Sequence, residues 1–87
     1  MDEGFYFVYV LYSEKDGRFY TGYTSDLSKR IEAHQAGKVT STKYRLPLIL
    51  VYYEACLHQQ DATNREQYLK TTYGKRYLRN RMKRYFE

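Results

Sequence analysis

Eighty-seven residues, 43% hydrophobic and 29% charged with a formal net charge of +5, suffice for one compact domain over residues 1–87 and are too few for two, since domains seldom fall below about 50 residues. That balance excludes a disordered chain, and no apolar run approaches the roughly 18 residues of a membrane span. The positive surplus favours a polyanionic partner, nucleic acid first. Met1-Asp2-Glu3 lacks the basic start of a signal peptide, and the single Cys56 has no partner for an internal disulfide, so a cytoplasmic protein is expected.

Residues 5–12 and 18–23 are runs of aromatic and β-branched residues separated by turn formers at 13–17, which predicts a β-hairpin. Thr24-Ser25-Asp26 offers N-capping side chains, and a helix is expected over 27–36 with Gly37 as its C-terminal cap. The polar, basic stretch 38–47 is too long for a tight turn and is a candidate phosphate-binding loop. Residues 48–55 read as a third strand, placed centrally because the run is almost continuously apolar. Helix formers fill 58–72, Gly74 separates that helix from the next, and a last helix over 75–85 packs Leu78, Met82 and Tyr85 inward. The order is β-β-α-β-α-α, which implies an α+β fold, a small three-stranded antiparallel sheet flanked by three helices. From Lys70 onward seven cations crowd the chain against Glu87 alone.

One residue breaks the packing pattern. Positions 62, 66, 69 and 73 advance by four, three and four and so share a helix face, yet position 66 is a glutamate. An inward carboxylate is costly unless it is paired or binds a metal, so Glu66 meets a nearby arginine, lies at the edge of the stripe, or belongs to a site. On the first helix Arg30 and His34, four apart, project one above the other beside the apolar face of Leu27 and Ile31. Such a pair alone is more often a solvated surface than a site.

In order, these pieces resemble the GIY-YIG nuclease superfamily, in particular its short stand-alone bacterial members. The two strand motifs stand here as Phe7-Val8-Tyr9 and Tyr20-Thr21-Gly22, with tyrosines eleven apart (20 minus 9). Arg30 follows Tyr20 by ten residues, His34 follows by four more, and Glu66 stands where the family has its metal-binding glutamate. Phe7 replaces the first glycine and Thr21 the central isoleucine of the second motif; for the late asparagine of many members only Asn64 and Asn80 are available.

The resemblance implies a metal-dependent endonuclease hydrolysing a nucleic-acid phosphodiester, with DNA rather than RNA as the expected substrate. It makes Tyr9, Tyr20, Arg30, His34 and Glu66 the catalytic set. Glu66 would hold one hard ion, Mg2+ or Mn2+, which commonly takes one or two carboxylates and fills its other positions with waters and phosphate oxygens. Arg30 would clamp the phosphate through its planar donors. Tyr9 would be the general base, a role for which a phenol of pKa near 10 needs positive charge beside it. His34 would relay the proton, and Tyr20 would orient water or phosphate. Lys38, Lys43, Arg45, Lys75, Arg76 and Arg79 would grip the nucleic-acid backbone. The rival readings are a non-catalytic nucleic-acid-binding module and an interaction scaffold with a relic site.

Overall fold

The computed structural model describes residues 4–87; Met1-Asp2-Glu3, on which the lack of a signal-type start was read, lies outside the described residues. The elements are β1 (Tyr6–Ser13), β2 (Phe19–Thr24), α1 (Leu27–Gln35), β3 (Leu48–Cys56), α2 (Gln59–Leu69) and α3 (Thr72–Arg81). They form the expected α+β fold, with an antiparallel sheet in the order β2-β1-β3.

The centre of the sheet is β1, not β3. Phe7, Val8, Tyr9, Val10 and Leu11 are each 6% exposed or less, whereas in β3 only Leu48 is buried and Tyr53 is 53% exposed. The apolar run of β3 reflects an edge strand half-covered on both faces: Val51 and Tyr52 meet one core, Leu50 the other. Register slips between Val10 and Leu11, which pair with Tyr52 and Leu50, so Val51 is the extra residue of a bulge.

Side chains of β1 alternate between two cores. Val8 and Val10 pack with Ala62, Leu69, Leu78 and Met82 from α2 and the α3 end, while Tyr9 and Leu11 pack with Ile31 and Leu48 under α1. Each fully buried aliphatic side chain contributes about 1.5–3 kcal/mol. Asp26 caps α1 by accepting from the Lys29 amide, and Gly37, at φ +73°, takes the left-handed turn that ends it.

The C-terminal third departs from the sequence-based boundaries. Helix α2 stops at Leu69, three residues early, because Thr71 caps α3 instead of continuing α2: its Oγ1 accepts from the Gly74 amide at 3.1 Å and donates to the Tyr68 carbonyl at 2.6 Å. Gly74 therefore lies inside the first turn of α3 rather than between helices, and it is buried where α3 crosses the end of α2. Tyr73, expected on the inward face of α2, is 69% exposed. Leu78 and Met82 face inward as expected, but Tyr85 is 62% exposed and Phe86 folds back instead, its ring 5.0 Å from that of Tyr12 and 5.8 Å from that of Phe19.

Candidate active site

The site begins with strand register. Tyr20 pairs with Leu11 and Gly22 with Tyr9, so both motif tyrosines project to the α1 face, their ring centroids 6.5 Å apart. Gly22 is required by its neighbour: a Cβ there would stand 2.5 Å from the Tyr9 hydroxyl, so the phenol lies across the bare backbone of β2. From above, α1 presents Arg30 and His34 one turn apart.

These residues form one chain of hydrogen bonds, buried from Tyr9 to Thr42 and open to the surface at Arg30. Arg30 Nε donates to the Tyr9 hydroxyl at 3.3 Å, that hydroxyl lies 2.9 Å from His34 Nε2, and His34 Nδ1 lies 2.7 Å from Thr42 Oγ1. Arginine can only donate, so the phenol oxygen accepts from Arg30; in the Tyr9–His34 and His34–Thr42 bonds the imidazole tautomer sets which group donates. Thr42, fully buried, is the member that sequence reasoning missed. It sits in the loop expected to grip phosphate, where nothing but its burial distinguishes it from Thr40 or Ser41. Tyr20 completes the cluster, its ring 5.1 Å from that of His34 and its hydroxyl accepting from Ser41 Oγ at 3.4 Å.

Burial sets the protonation states. Desolvation, with the Arg30 charge adding to it, pushes the His34 pKa down to about 4, so the imidazole is neutral. Burial raises the Tyr9 phenol; the Arg30 hydrogen bond opposes this without cancelling it, and Tyr20 and Glu66 add repulsion. The positive charge that a phenolate needs is therefore supplied only in part by Arg30 and not at all by His34.

That burial has a measurable consequence. An unfolded histidine takes up its proton near pH 6.5, while folded His34 stays neutral until about 4. In between, the unfolded state binds more protons, so stability present above pH 6.5 is lost as pH falls toward 4, by on the order of 3 kcal/mol. Urea unfolding at pH 7.5 and 5.5 checks this: a loss of about 1.4 kcal/mol is expected over a range in which ordinary carboxylates stay largely ionised. A flat profile would mean that His34 reaches solvent.

Glu66 stands apart from the four. Its helix covers the Val8/Val10 face, opposite to α1. No hydrogen bond among the described residues joins it to the others, although its charge, the smallest of the causes, is felt at the Tyr9 phenol. The carboxylate is mostly covered and pairs with Lys70 Nζ at 3.2 Å, a lysine where an arginine was the expected partner. Around Arg30 there is a shallow cleft of about 220 Å³, lined by Thr24, Asp26, Lys29, Arg30 and Ala33. Tyr9 and His34 lie beneath it at 1% and 0% exposure, so the five residues do not line one open concavity.

No three His, Cys, Asp or Glu side chains gather to hold a metal among the described residues. A closed cage of protein ligands is thus not built here. The single mostly covered carboxylate of Glu66 fits a hard cation that keeps most of its waters.

The expected phosphate contacts divide into two groups. Lys38, Lys43, Lys75, Arg76 and Arg79 are exposed. Arg45 is engaged within the fold: it pairs with Asp16 at 2.7 Å and donates to the Arg18 and Phe19 carbonyls at 3.2 and 3.4 Å, tying its loop to the hairpin turn. That ion pair holds the Asp16 carboxyl down to about 2.

The model of the GIY-YIG catalytic domain matches residues 5–83. The chain belongs to the GIY-YIG family. It is 45% identical over 65 residues to a UPF0213 protein of Streptococcus pyogenes serotype M5 (strain Manfredo), covering 74% of this chain and 70% of that one. It is 46% identical over 56 residues to a UPF0213 protein of Streptococcus pyogenes serotype M3 (strain ATCC BAA-595 / MGAS315), covering 63% and 61%. Among solved structures it is similar to the UPF0213 protein BH0048 from Bacillus halodurans, determined by solution NMR, with a TM-score of 0.53, 36% identity, and coverage of 85% of this chain and 81% of that one. Membership makes this GIY-YIG chain part of a nuclease family whose substrate is nucleic acid, and no described helix is long and apolar enough to cross a membrane.

Proposed function

We propose that this GIY-YIG chain is a metal-dependent endonuclease, and that Tyr9, Tyr20, Arg30, His34 and Glu66 act in phosphodiester hydrolysis. The observation that carries the reading is the Arg30–Tyr9–His34–Thr42 chain of hydrogen bonds, which joins an arginine at an open cleft to a buried tyrosine and histidine. Glu66 would hold Mg2+ or Mn2+, which when bound supplies the charge that activates water and offsets negative charge on the leaving oxygen. Arg30 binds the phosphate through the guanidinium nitrogens not given to Tyr9 and offsets charge that grows in the transition state. Tyr20 positions the attacking water or a phosphate oxygen. Tyr9, as phenolate, would take the proton of the attacking water; the Arg30 hydrogen bond favours that form, with the rest of the charge left to a bound metal, and neutral His34 at 2.9 Å would relay the phenol's own proton.

A non-catalytic nucleic-acid-binding module is the alternative, and the ion pair of Glu66 with Lys70 favours it, because a carboxylate with a resident cation needs no metal. Incubation with branched, single-stranded and duplex DNA and with RNA, in Mg2+ or Mn2+ and beside a Glu66→Ala control, decides between them. Metal-dependent cleavage lost in the control supports the enzyme. Binding without cleavage in any metal supports the module.

Whichever reading holds, exposed cations such as Lys38, Lys43, Lys75 and Arg76 should make binding weakly sequence-specific and steeply salt-dependent. Four phosphate contacts give an affinity loss of roughly 10² between 50 and 200 mM salt. Fluorescence anisotropy across that range measures it, and an affinity indifferent to salt would remove the backbone-contact reading.

A further inference from the structure

A second cleft, of about 530 Å³, lies away from Tyr9 and is lined by Asp16, Arg18, Phe19, Arg45, Lys75 and Arg79. It belongs to the other side of the hairpin: Phe19 packs with Tyr12 and Phe86, whereas the next residue, Tyr20, faces α1. Its lining carries four cations and one carboxylate, a surplus of three positive charges (4 minus 1).

Three of these groups are fixed in place. Asp16 and Arg45 hold each other through contacts of 2.7 and 3.3 Å. Arg79 lies over the rings of Phe19 and Phe86, 4.6 and 5.6 Å from their centroids, and donates to the Gly17 carbonyl at 3.3 Å. Arg18 and Lys75 are exposed and form no ion pair among the described residues. Like charges that converge without counter-ions raise one another's free energy, and an anion with several acceptor oxygens offsets this. Guanidinium and ammonium donors from the hairpin and from α3 match a phosphate better than a small spherical anion.

We propose that this cleft is a second anion subsite, which binds a phosphate group through Arg18, Lys75 and Arg79. A nucleic-acid strand is the source that the fold favours. β2 is an edge strand; its Phe19 lines this cleft while the next residue, Tyr20, faces the α1 layer that carries Arg30, so a strand passing around that edge offers one phosphate to each side. This assignment of the source rests on the nuclease reading; the anion subsite itself does not.

The test is an amide-resolved NMR titration of the full chain at constant ionic strength. The titrants are inorganic phosphate, a short single-stranded oligonucleotide with hydroxyl ends, and the same oligonucleotide with a 5′-phosphate. Inorganic phosphate should shift the amides of Gly17, Phe19, Lys75 and Arg79. The Arg18→Gln/Lys75→Gln double variant should weaken that binding tenfold or more. Lys83→Gln/Arg84→Gln, with the same change in net charge and likewise confined to exposed side chains, should weaken it less than twofold. The same shifts from the hydroxyl-ended oligonucleotide assign the subsite to a backbone phosphodiester, and shifts only from the 5′-phosphorylated one assign it to a terminal monoester. Equal weakening in the two double variants, or phosphate-induced shifts spread evenly over the chain, overturns the subsite. A cleft that still titrates in a protein that cleaves nothing overturns the nuclease reading alone.

Discussion

Gly74→Ala should destabilise the fold by about 3 kcal/mol or more, lowering Tm by at least about 12 °C in a domain of this size. In an open helix the same change gains up to about 1 kcal/mol, because alanine is the better helix former. Here the sign reverses. A Cβ at Gly74 would meet the Tyr68 carbonyl oxygen and lie 2.5 and 2.8 Å from Leu69 Cα and C. These are backbone atoms of the turn leaving α2, so no rotamer change relieves the contact; α3 must move off α2, opening the packing around Leu69 and Leu78. Thermal unfolding beside wild type measures the effect. A variant at least as stable as wild type would show that the two helices separate without cost and that the corner is loosely packed.

Glu66→Ala should lower cleavage by 10²-fold or more, the scale on which loss of a single preorganised electrostatic group is felt. Ground-state affinity should change less than about twofold, since the metal acts on charge that develops during reaction while the exposed cations supply binding. Arg30→Ala differs in lowering both, because its guanidinium would contact the phosphate before and during the reaction. Stability separates this from simple unfolding: the Glu66–Lys70 pair has an exposed lysine, and such pairs contribute about 1 kcal/mol or less. Cleavage rates and anisotropy binding curves on the same preparations check all three statements. If Glu66→Ala cleaves at the wild-type rate, the carboxylate is not the metal ligand and its pairing with Lys70 is the whole of its role.

The parts of the site that were legible in the sequence are those carried by regular spacing. Tyr9 and Tyr20 reach one face because the hairpin register sets Leu11 opposite Tyr20, and Arg30 and His34 stack because a helix repeats every 3.6 residues. Strand order was not legible, since an apolar run looks the same in a fully buried centre and in an edge strand half-covered on both faces, as β1 and β3 show. The role of Thr42 was hidden because a loop has no period from which burial can be read. Arg45 appeared as a free cation for the same reason: nothing local shows that the chain returns it to Asp16, 29 residues earlier (45 minus 16). The end of α2 was missed because Thr71-Thr72 reads as a weak helical pair until Thr71 Oγ1 is seen bonded to both helices.

The position of β1 bears on how the molecule comes apart. Its even-numbered Val8 and Val10 belong to one core and its odd-numbered Tyr9 and Leu11 to the other. Shifting the strand by a single residue would exchange the two sets, offering tyrosine and leucine to the α2 layer and valines to the Arg30–His34 layer. No register therefore satisfies one layer while spoiling the other. Among the described residues the principal contacts of α1 are with β3 and those of α2 are with the sheet and α3, so each helix is held mainly through the sheet and not by the other. The layer that holds the tyrosine–histidine chain and the layer that holds Glu66 are thus expected to be lost together, as one transition seen alike by near-UV and far-UV circular dichroism.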